Sequence, residues 1–259
     1  LCNLARPTHG LITNVGKAHI EGFGSFEEII HTKKALYRSV IRDRGTLFVN
    51  FNDLYLRNDL AYDAVVYYAE EGENAITAMS PFLRINFAGR QIDTHLTGSY
   101  NIYNFLAAAA IGRFFGVTEE HIAQSLSDYT PTNHRSQVNT IGTNIIISDY
   151  YNANPTSMEA ALRNLACLEH PHKRAVLGDM RELGAISEQE HRHIIALCEE
   201  LGIDALFVGP QFCALIPEKS FPTTEVLNEH LKLYPIQQSM VLVKGSNSIR
   251  LDKLTALLS

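Results

Sequence analysis

Along the chain, short runs of β-branched and aromatic residues alternate with stretches whose apolar positions recur every three to four residues. "GLITNV", "TLFVN" and "DAVVYYA" have the first pattern and predict strands, whereas residues 26–42 have the second and predict a helix. "FLRINFAGRQIDTHL" alternates about a central Ala-Gly-Arg and predicts a β-hairpin. A strong helix is expected over 101–115, stopping before Gly116, with another over 119–127. Past the Pro, Thr and Asn cluster of "DYTPTNHRSQV" come a strand pair (137–140 and 144–148), a helix (155–168), a strand (174–177), a helix (188–201) and a strand (205–208). A helix near 225–233, the strand "MVLVK" and a last helix to Leu257 complete the series.

Strands that alternate with helices predict an α/β fold with a mostly parallel sheet. With 259 residues the chain exceeds one comfortable core, so two domains are expected, 1–131 and 132–259, divided near Pro131. The second has a Rossmann-like order. No G-x-G-x-x-G follows any strand, which removes an ordinary dinucleotide fingerprint.

Composition narrows the classes. Hydrophobic content of 46% and charged content of 19% are those of a globular protein with a sizeable core. The longest nearly apolar stretch, 102–115, is interrupted by Asn104, Gly112 and Arg113 and falls short of the roughly 18 residues of a membrane span. A net charge of -6 with dispersed basic residues argues against a nucleic-acid partner. Four cysteines without C-x-x-C spacing fit a reducing, cytoplasmic setting. The opening "LCNLARPTHG" has no initiator Met, charged n-region or apolar h-region, so a fragment of a longer protein is expected.

Two stretches resemble a phosphate loop and fail on spacing. Five residues separate Gly10 from Gly16-Lys17, and Ala18 follows where Ser or Thr is needed; Lys244-Gly245-Ser246 has the wrong order. His19 lies just past a predicted strand's carboxyl end, where open α/β sheets place ligands. In the helix that follows, Lys33 and Lys34 both occupy core-facing slots, on the stripes Ile29, Lys33, Leu36, Val40 and Ile30, Lys34, Tyr37, Ile41. A buried lysine is snorkelled, paired, or shifted toward its neutral amine. A neutral amine reacts with CO₂ to give a carbamate, whose oxygens suit Mg²⁺. Periodicity does not choose between the two lysines.

Asn101 and Asn104 share a helical face near its start; capping explains Asn101, and Asn104 has an amide suited to a base edge. In "NIIISDYYNANPTSMEAAL" an Asn154 cap with Pro155 at the first helical position explains the turn, but not Asp149-Tyr150-Tyr151-Asn152 crowded at the strand's carboxyl end. There a carboxylate could hold ribose hydroxyls. Ser187 and Glu190 have capping-box spacing after the strand that ends in Gly178-Asp179. Lys244, Ser246 and Ser248 precede a predicted helix N-terminus, a site for a carboxylate or phosphate.

Taken in order, "LITNVGKAHIEGFGS", "LTGSYNIYNFLAAAA", "NHRSQV", "DYYNANPTSMEAAL", "LGDMRELGAISEQEH" and "LVKGSNSIR" closely resemble the Mur ligases of peptidoglycan synthesis, in their D-alanyl-D-alanine-adding branch. The resemblance spans nearly the whole chain. It implies the last part of the central ATPase domain, of P-loop type, followed by the complete carboxyl-terminal domain that closes over the nucleotide. It implies ATP and Mg²⁺ as cofactors, and UDP-N-acetylmuramoyl-tripeptide and D-alanyl-D-alanine as substrates, joined through an acyl phosphate.

On the same resemblance His19 is a Mg²⁺ ligand with Glu21 in support, and Lys33 is the lysine carried as a carbamate. Asn104 and Asn101 meet adenine, Arg135 the ATP phosphates and Asp149 the ribose. Tyr151, Asn152 and Asn154 share that nucleotide-facing turn, and Lys244 and Ser246 meet the dipeptide. Two departures stand out. The phosphate loop and the acidic Mg²⁺ ligand are expected upstream of Leu1, so the chain by itself is expected not to turn over. Asn247 stands where the family has Arg. The rival readings are another Mur ligase, a folylpolyglutamate synthase-like ligase, or a non-catalytic nucleotide-binding module.

Overall fold

The computed structural model describes residues 2–17, 20–58 and 60–258. They form two compact units: the first holds residues to 78, 83–94 and 99–129, and the second holds 79–82, 95–98 and 130–259. The division falls between Tyr129 and Thr130. Segments 79–82 and 95–98, expected in the first domain, gather with the second because they are tied there. Asn164 Nδ2 donates to Thr97 Oγ1 (3.3 Å) and the Glu169 amide to Ser80 Oγ (3.4 Å).

In the first unit β1 (His9–Leu11), β2 (Thr46–Asn50) and β3 (Val65–Tyr68) form a parallel sheet in that order. Helix Asn101–Phe114 lies along β2 and β3. The strand expected over "GLITNV" is shorter than its pattern, because past Leu11 the chain leaves β2 and turns the Asn14 carbonyl toward Lys33. A second sheet holds β4 (Ala75–Met79), β5 (Leu83–Phe87) and β6 (Arg90–Asp93). β5 and β6 are the expected hairpin: Phe87 pairs with Arg90 across Ala88 (φ 50°) and Gly89 (φ 74°), the two left-handed residues of a tight primed turn.

The helix expected over 26–42 is two, Phe26–Lys33 and Ala35–Arg42, parted at Lys34. There ψ opens to -8° although the Lys34 amide still reaches the Ile30 carbonyl. Ser25 Oγ starts the first helix by accepting from the Glu28 amide (3.2 Å).

The second unit is a six-stranded sheet of β7 (Gln137–Ile141), β8 (Asn144–Asp149), β9 (Lys173–Gly178), β10 (Asp204–Val208), β11 (Ser220–Phe221) and β12 (Met240–Lys244). Its order is β11-β10-β9-β12-β8-β7, with only β7 antiparallel to its neighbour. The last strand in sequence thus lies between β8 and β9. All of β12 is buried: Met240 and Leu242 join the core under helices Pro155–Cys167 and Ser187–Glu200, while Val241 and Val243 join Leu227, Leu231, Leu251, Leu254 and Leu257 on the other face. Burial on both faces is why "MVLVK" reads as a continuous apolar run.

Helix starts divide into two outcomes. Asn154 caps helix Pro155–Cys167 as its sequence predicts, accepting from the Ser157 amide at 2.9 Å while Ser157 Oγ accepts in return from the Asn154 amide. Ser187 does not cap. A 3₁₀ turn, Gly184–Ile186, runs directly into helix Ser187–Glu200, so the cap position is Ile186 in helical conformation and Ser187 is already inside. Similarly Asn101 is the first helical residue behind Tyr100, not the cap. The last expected helix is broken into the 3₁₀ turns Asn247–Ile249 and Leu251–Lys253 and the short helix Thr255–Leu258, with Arg250 left-handed between the turns (φ 61°). The helix N-terminus expected after Lys244 is therefore absent, and with it the dipole that was to receive an anion.

Candidate functional site

In the first unit the candidate chemistry collects at the carboxyl end of the three-stranded sheet. Lys33 ends its helix and donates from Nζ to the Asn14 carbonyl at 3.0 Å, whereas Lys34 turns to the Asn58 carbonyl at 3.3 Å. Burial lowers the Lys33 pKa from the ordinary lysine value, against an opposing pull from Asp53. Asp53 itself caps the helical turn Leu54–Arg57 by accepting from the Tyr55 and Leu56 amides. Its charge also acts on Tyr37 and Tyr68, whose phenols burial raises, that of Tyr68 to about 12. Among the described residues the buried Tyr68 hydroxyl has no hydrogen-bond partner, while the Tyr37 phenol meets the Ile12 backbone.

A desolvated amine and an unsatisfied buried phenol around one carboxylate fit a lysine that carries an added anionic group. Sequence reasoning did not single out Asp53, Tyr37 or Tyr68 as site residues; the Tyr37 position, one helical turn after Lys33, was the available signal. His19 lies outside the described residues. Glu21 is exposed on the short helix Ile20–Phe23. Among the described residues no group of three or more His, Cys, Asp or Glu is gathered as a metal site. Asn101 and Asn104 do meet: Asn104 Nδ2 donates to Asn101 Oδ1 at 2.9 Å, with Asn101 buried and Asn104 exposed.

In the second unit the carboxyl ends of β8 and β12 bring together residues far apart in sequence. Asp149 and Lys244 are register partners on these neighbouring parallel strands. Lys244 Nζ donates to Asp149 Oδ2 at 2.6 Å and to the Asn152 carbonyl at 3.2 Å. The other carboxylate oxygen, Oδ1, accepts from the Ser136 amide at 3.2 Å. Arg135 is exposed, with its guanidinium 4.1 Å from the centroid of the Tyr151 ring. His134 stacks on Tyr150, centroids 4.7 Å apart, and its Nδ1 lies 3.1 Å from the Tyr150 hydroxyl. Asn152 is exposed and caps its own turn at the Ala153 amide. Thus Arg135, Asp149, Tyr151 and Asn152 share one surface, while Lys244 lies beneath it, 2% exposed.

Ser246 is also buried and faces away from that cluster. Its Oγ accepts from the Arg181 amide at 3.1 Å and its own amide donates to the Asp179 carbonyl. Gly245 makes this approach possible, because a Cβ there would stand 2.9 Å from Gly178 Cα and 2.8 Å from Leu251. Asp179, 1% exposed, caps the short helix Pro210–Leu215 by accepting from the Gln211 and Phe212 amides at 3.0 and 3.1 Å. Gly209 precedes that helix at φ 126°, and a Cβ on it would come within 2.3 Å of Asp179 Cγ.

His191 completes this buried set. Nδ1 donates to the Ser187 carbonyl (2.7 Å) and Nε2 therefore accepts from the Met180 amide (3.0 Å), which fixes a neutral ring. Burial pushes its pKa down. The sequence signal for this histidine was its place four residues after Ser187, on the same helical face.

Comparison with known proteins covers both units. Residues 1–112 match the family model described as Mur ligase middle domain, and residues 134–247 the one described as Mur ligase, glutamate ligase domain. The UDP-N-acetylmuramoyl-tripeptide--D-alanyl-D-alanine ligase of Treponema pallidum is 32% identical over 275 residues, covering 100% of this chain and 59% of that protein. The ligase of the same name from Bacillus subtilis is 28% identical over 98% of this chain and 60% of its own length. Among solved structures, MurF from Acinetobacter baumannii aligns with a TM-score of 0.81 at 27% identity, over 98% of this chain and 60% of that one. MurF from Thermotoga maritima in complex with ADP aligns with a TM-score of 0.82 at 22% identity, a likeness of fold, over 98% of this chain and 62% of that one. The chain therefore spans about 60% of the length of these four relatives.

Proposed function

This chain belongs to the Mur ligase family, and from that premise we propose that it serves an ATP-dependent ligase that joins D-alanyl-D-alanine to UDP-N-acetylmuramoyl-tripeptide in the cytoplasm. The observation that carries the reading is the surface at the carboxyl end of β8, where Arg135, Asp149 and Tyr151 come together from two separate stretches of sequence. A parallel sheet presents ligands at that end of its strands. No helix among the described residues is long and apolar enough to cross a membrane.

The roles follow from the chemistry of each group. A carboxylate resists attack by an amine, so the tripeptide carboxylate takes the γ-phosphoryl group of ATP and ADP leaves. The dipeptide amine then attacks the acyl carbon, and phosphate leaves as the amide forms. In this reading the fixed cation of Arg135 meets the ATP phosphates, Asp149 accepts from ribose hydroxyls, and Tyr151, Asn152 and Asn154 line the same turn. Asn104, oriented by Asn101, offers donor and acceptor to adenine. Lys33, with its amine shifted toward the neutral form that accepts CO₂, supplies carbamate oxygens that with His19 would hold Mg²⁺, whose charge neutralises phosphate.

The test is a ligation assay on a protein of the relatives' length that carries this chain. With ATP, Mg²⁺, the UDP-tripeptide and D-alanyl-D-alanine, we expect one phosphate released per amide formed, read by mass spectrometry. Amide formation only with glutamate and a folate acceptor would sink the assignment.

A further inference from the structure

Loop 134–136 is joined residue by residue to turn 149–151. His134 stacks on Tyr150, Arg135 on Tyr151, and the Ser136 amide is held by Asp149. The loop needs such holding, because His134 (φ 55°) and Ser136 (φ 53°) are both left-handed without being glycine, on either side of Arg135. Turn 149–151 is in turn bracketed from below. One ammonium, Lys244 Nζ, takes the Asp149 carboxylate at its start and the Asn152 carbonyl at its end.

Buried ion pairs seldom persist for stability alone, since two apolar side chains of similar volume serve as well. Here the register of β8 and β12 puts the ammonium directly beside the carboxylate, with side-chain exposures of 3% and 14%. The Asp149 carboxylate divides its oxygens, Oδ2 to the ammonium and Oδ1 to the loop amide.

We propose that Lys244 is a positioning residue for Arg135: anchored between β8 and β12, it aims the Asp149 carboxylate at the Ser136 amide and so fixes the left-handed loop that presents the arginine. This rests on the reading of Arg135 as the group that meets ATP phosphates. It gives Lys244 a task inside the protein in place of contact with the dipeptide.

The experiment uses this chain in three forms: unchanged, Lys244→Met, and the double variant Lys244→Met with Asp149→Asn, which keeps an acceptor oxygen for the Ser136 amide. Hydrogen exchange at the Ser136 amide and tryptic cleavage after Arg135 report the loop, and amides of β10 report the sheet. Lys244→Met is expected to speed both loop readouts at least tenfold. The double variant removes the uncompensated charge, so β10 returns to wild-type protection while the loop stays open. A purely structural role would return both together. A folded double variant whose Ser136 amide and Arg135 bond remain as protected as in the unchanged chain would overturn the proposal, as would a folded Lys244→Met without either change.

In an active enzyme carrying this segment, Lys244→Met should lower kcat/KM for ATP at least tenfold, and Arg135→Ala added to it should lower it by no more than a further twofold. Full additivity of the two substitutions would also overturn the proposal. If Arg135→Ala alone leaves ATP kinetics unchanged, the role assigned to Arg135 falls, and the loop readouts still decide what Lys244 does.

Discussion

Lys33 and Lys34 show how one residue's surroundings separate it from its neighbour. The helical pattern makes them equivalent, but the break at Lys34 sends their ammonium groups to different carbonyls, Asn14 and Asn58. Only the fold could reveal that, because a one-residue change in helix phase lies below what periodicity resolves. In the active enzyme, Lys33→Ala is expected to lower kcat at least 100-fold and Lys34→Ala by less than threefold, measured as ATP-dependent amide formation. The reverse order would move the carbamate to Lys34. His191 is the second residue with a testable consequence. Its ring is neutral in the fold and its pKa lies below the ordinary 6.5, so below about pH 6.5 the unfolded chain binds a proton that the folded chain refuses. Stability is therefore full above that pH and falls as pH drops toward the folded value, by up to about 1.4 kcal/mol per pH unit. Urea titrations at pH 7.5 and 5.5 should show this loss, and His191→Gln should reduce it.

Among the elements, legibility followed burial. β8, β9, β10 and β12 were readable because a parallel strand covered on both faces must be apolar throughout, as "MVLVK" is up to its final lysine. Helix Pro155–Cys167 was readable because its start signal is local, an Asn154 cap followed by proline. Asn154→Ala should cost about 1 kcal/mol, seen in the urea midpoint. The Ser187 signal failed because the cap needs extended backbone, and the preceding 3₁₀ turn had already made Ile186 helical. The carboxyl-terminal pieces were misjudged as one helix because apolar spacing survives in them while Arg250 turns left-handed. In the site, Asp149 stood out by type and place and Arg135 only through the family resemblance, but the Lys244–Asp149 pair joins residues 95 apart and is visible only once strand order is known. Helix Pro210–Leu215 was too short to show a period, and its start depends on Gly209. There, Gly209→Ala should destabilise the second unit by roughly 3 kcal/mol, combining a backbone region reserved for glycine with a Cβ that meets Asp179.

At the scale of the whole molecule, two units with separate cores argue for separate cooperative transitions. Differential scanning calorimetry is expected to resolve two, with Gly209→Ala lowering one by about 10 °C and leaving the other in place. A single transition that shifts as a whole would show that the units melt as one. The strand order of the second unit also bears on how it is made. β8 and β9 flank a place that β12 fills only when synthesis has advanced 95 residues from Asp149 to Lys244. At roughly 5–20 residues per second, the edge of β8 waits about 5–20 s on the ribosome for its neighbour, and the edge of β9, which ends at Gly178, about 3–13 s. The nascent chain thus carries an open slot shaped for a parallel strand, and a sheltering chaperone has its greatest use in the interval before "MVLVK" leaves the exit tunnel.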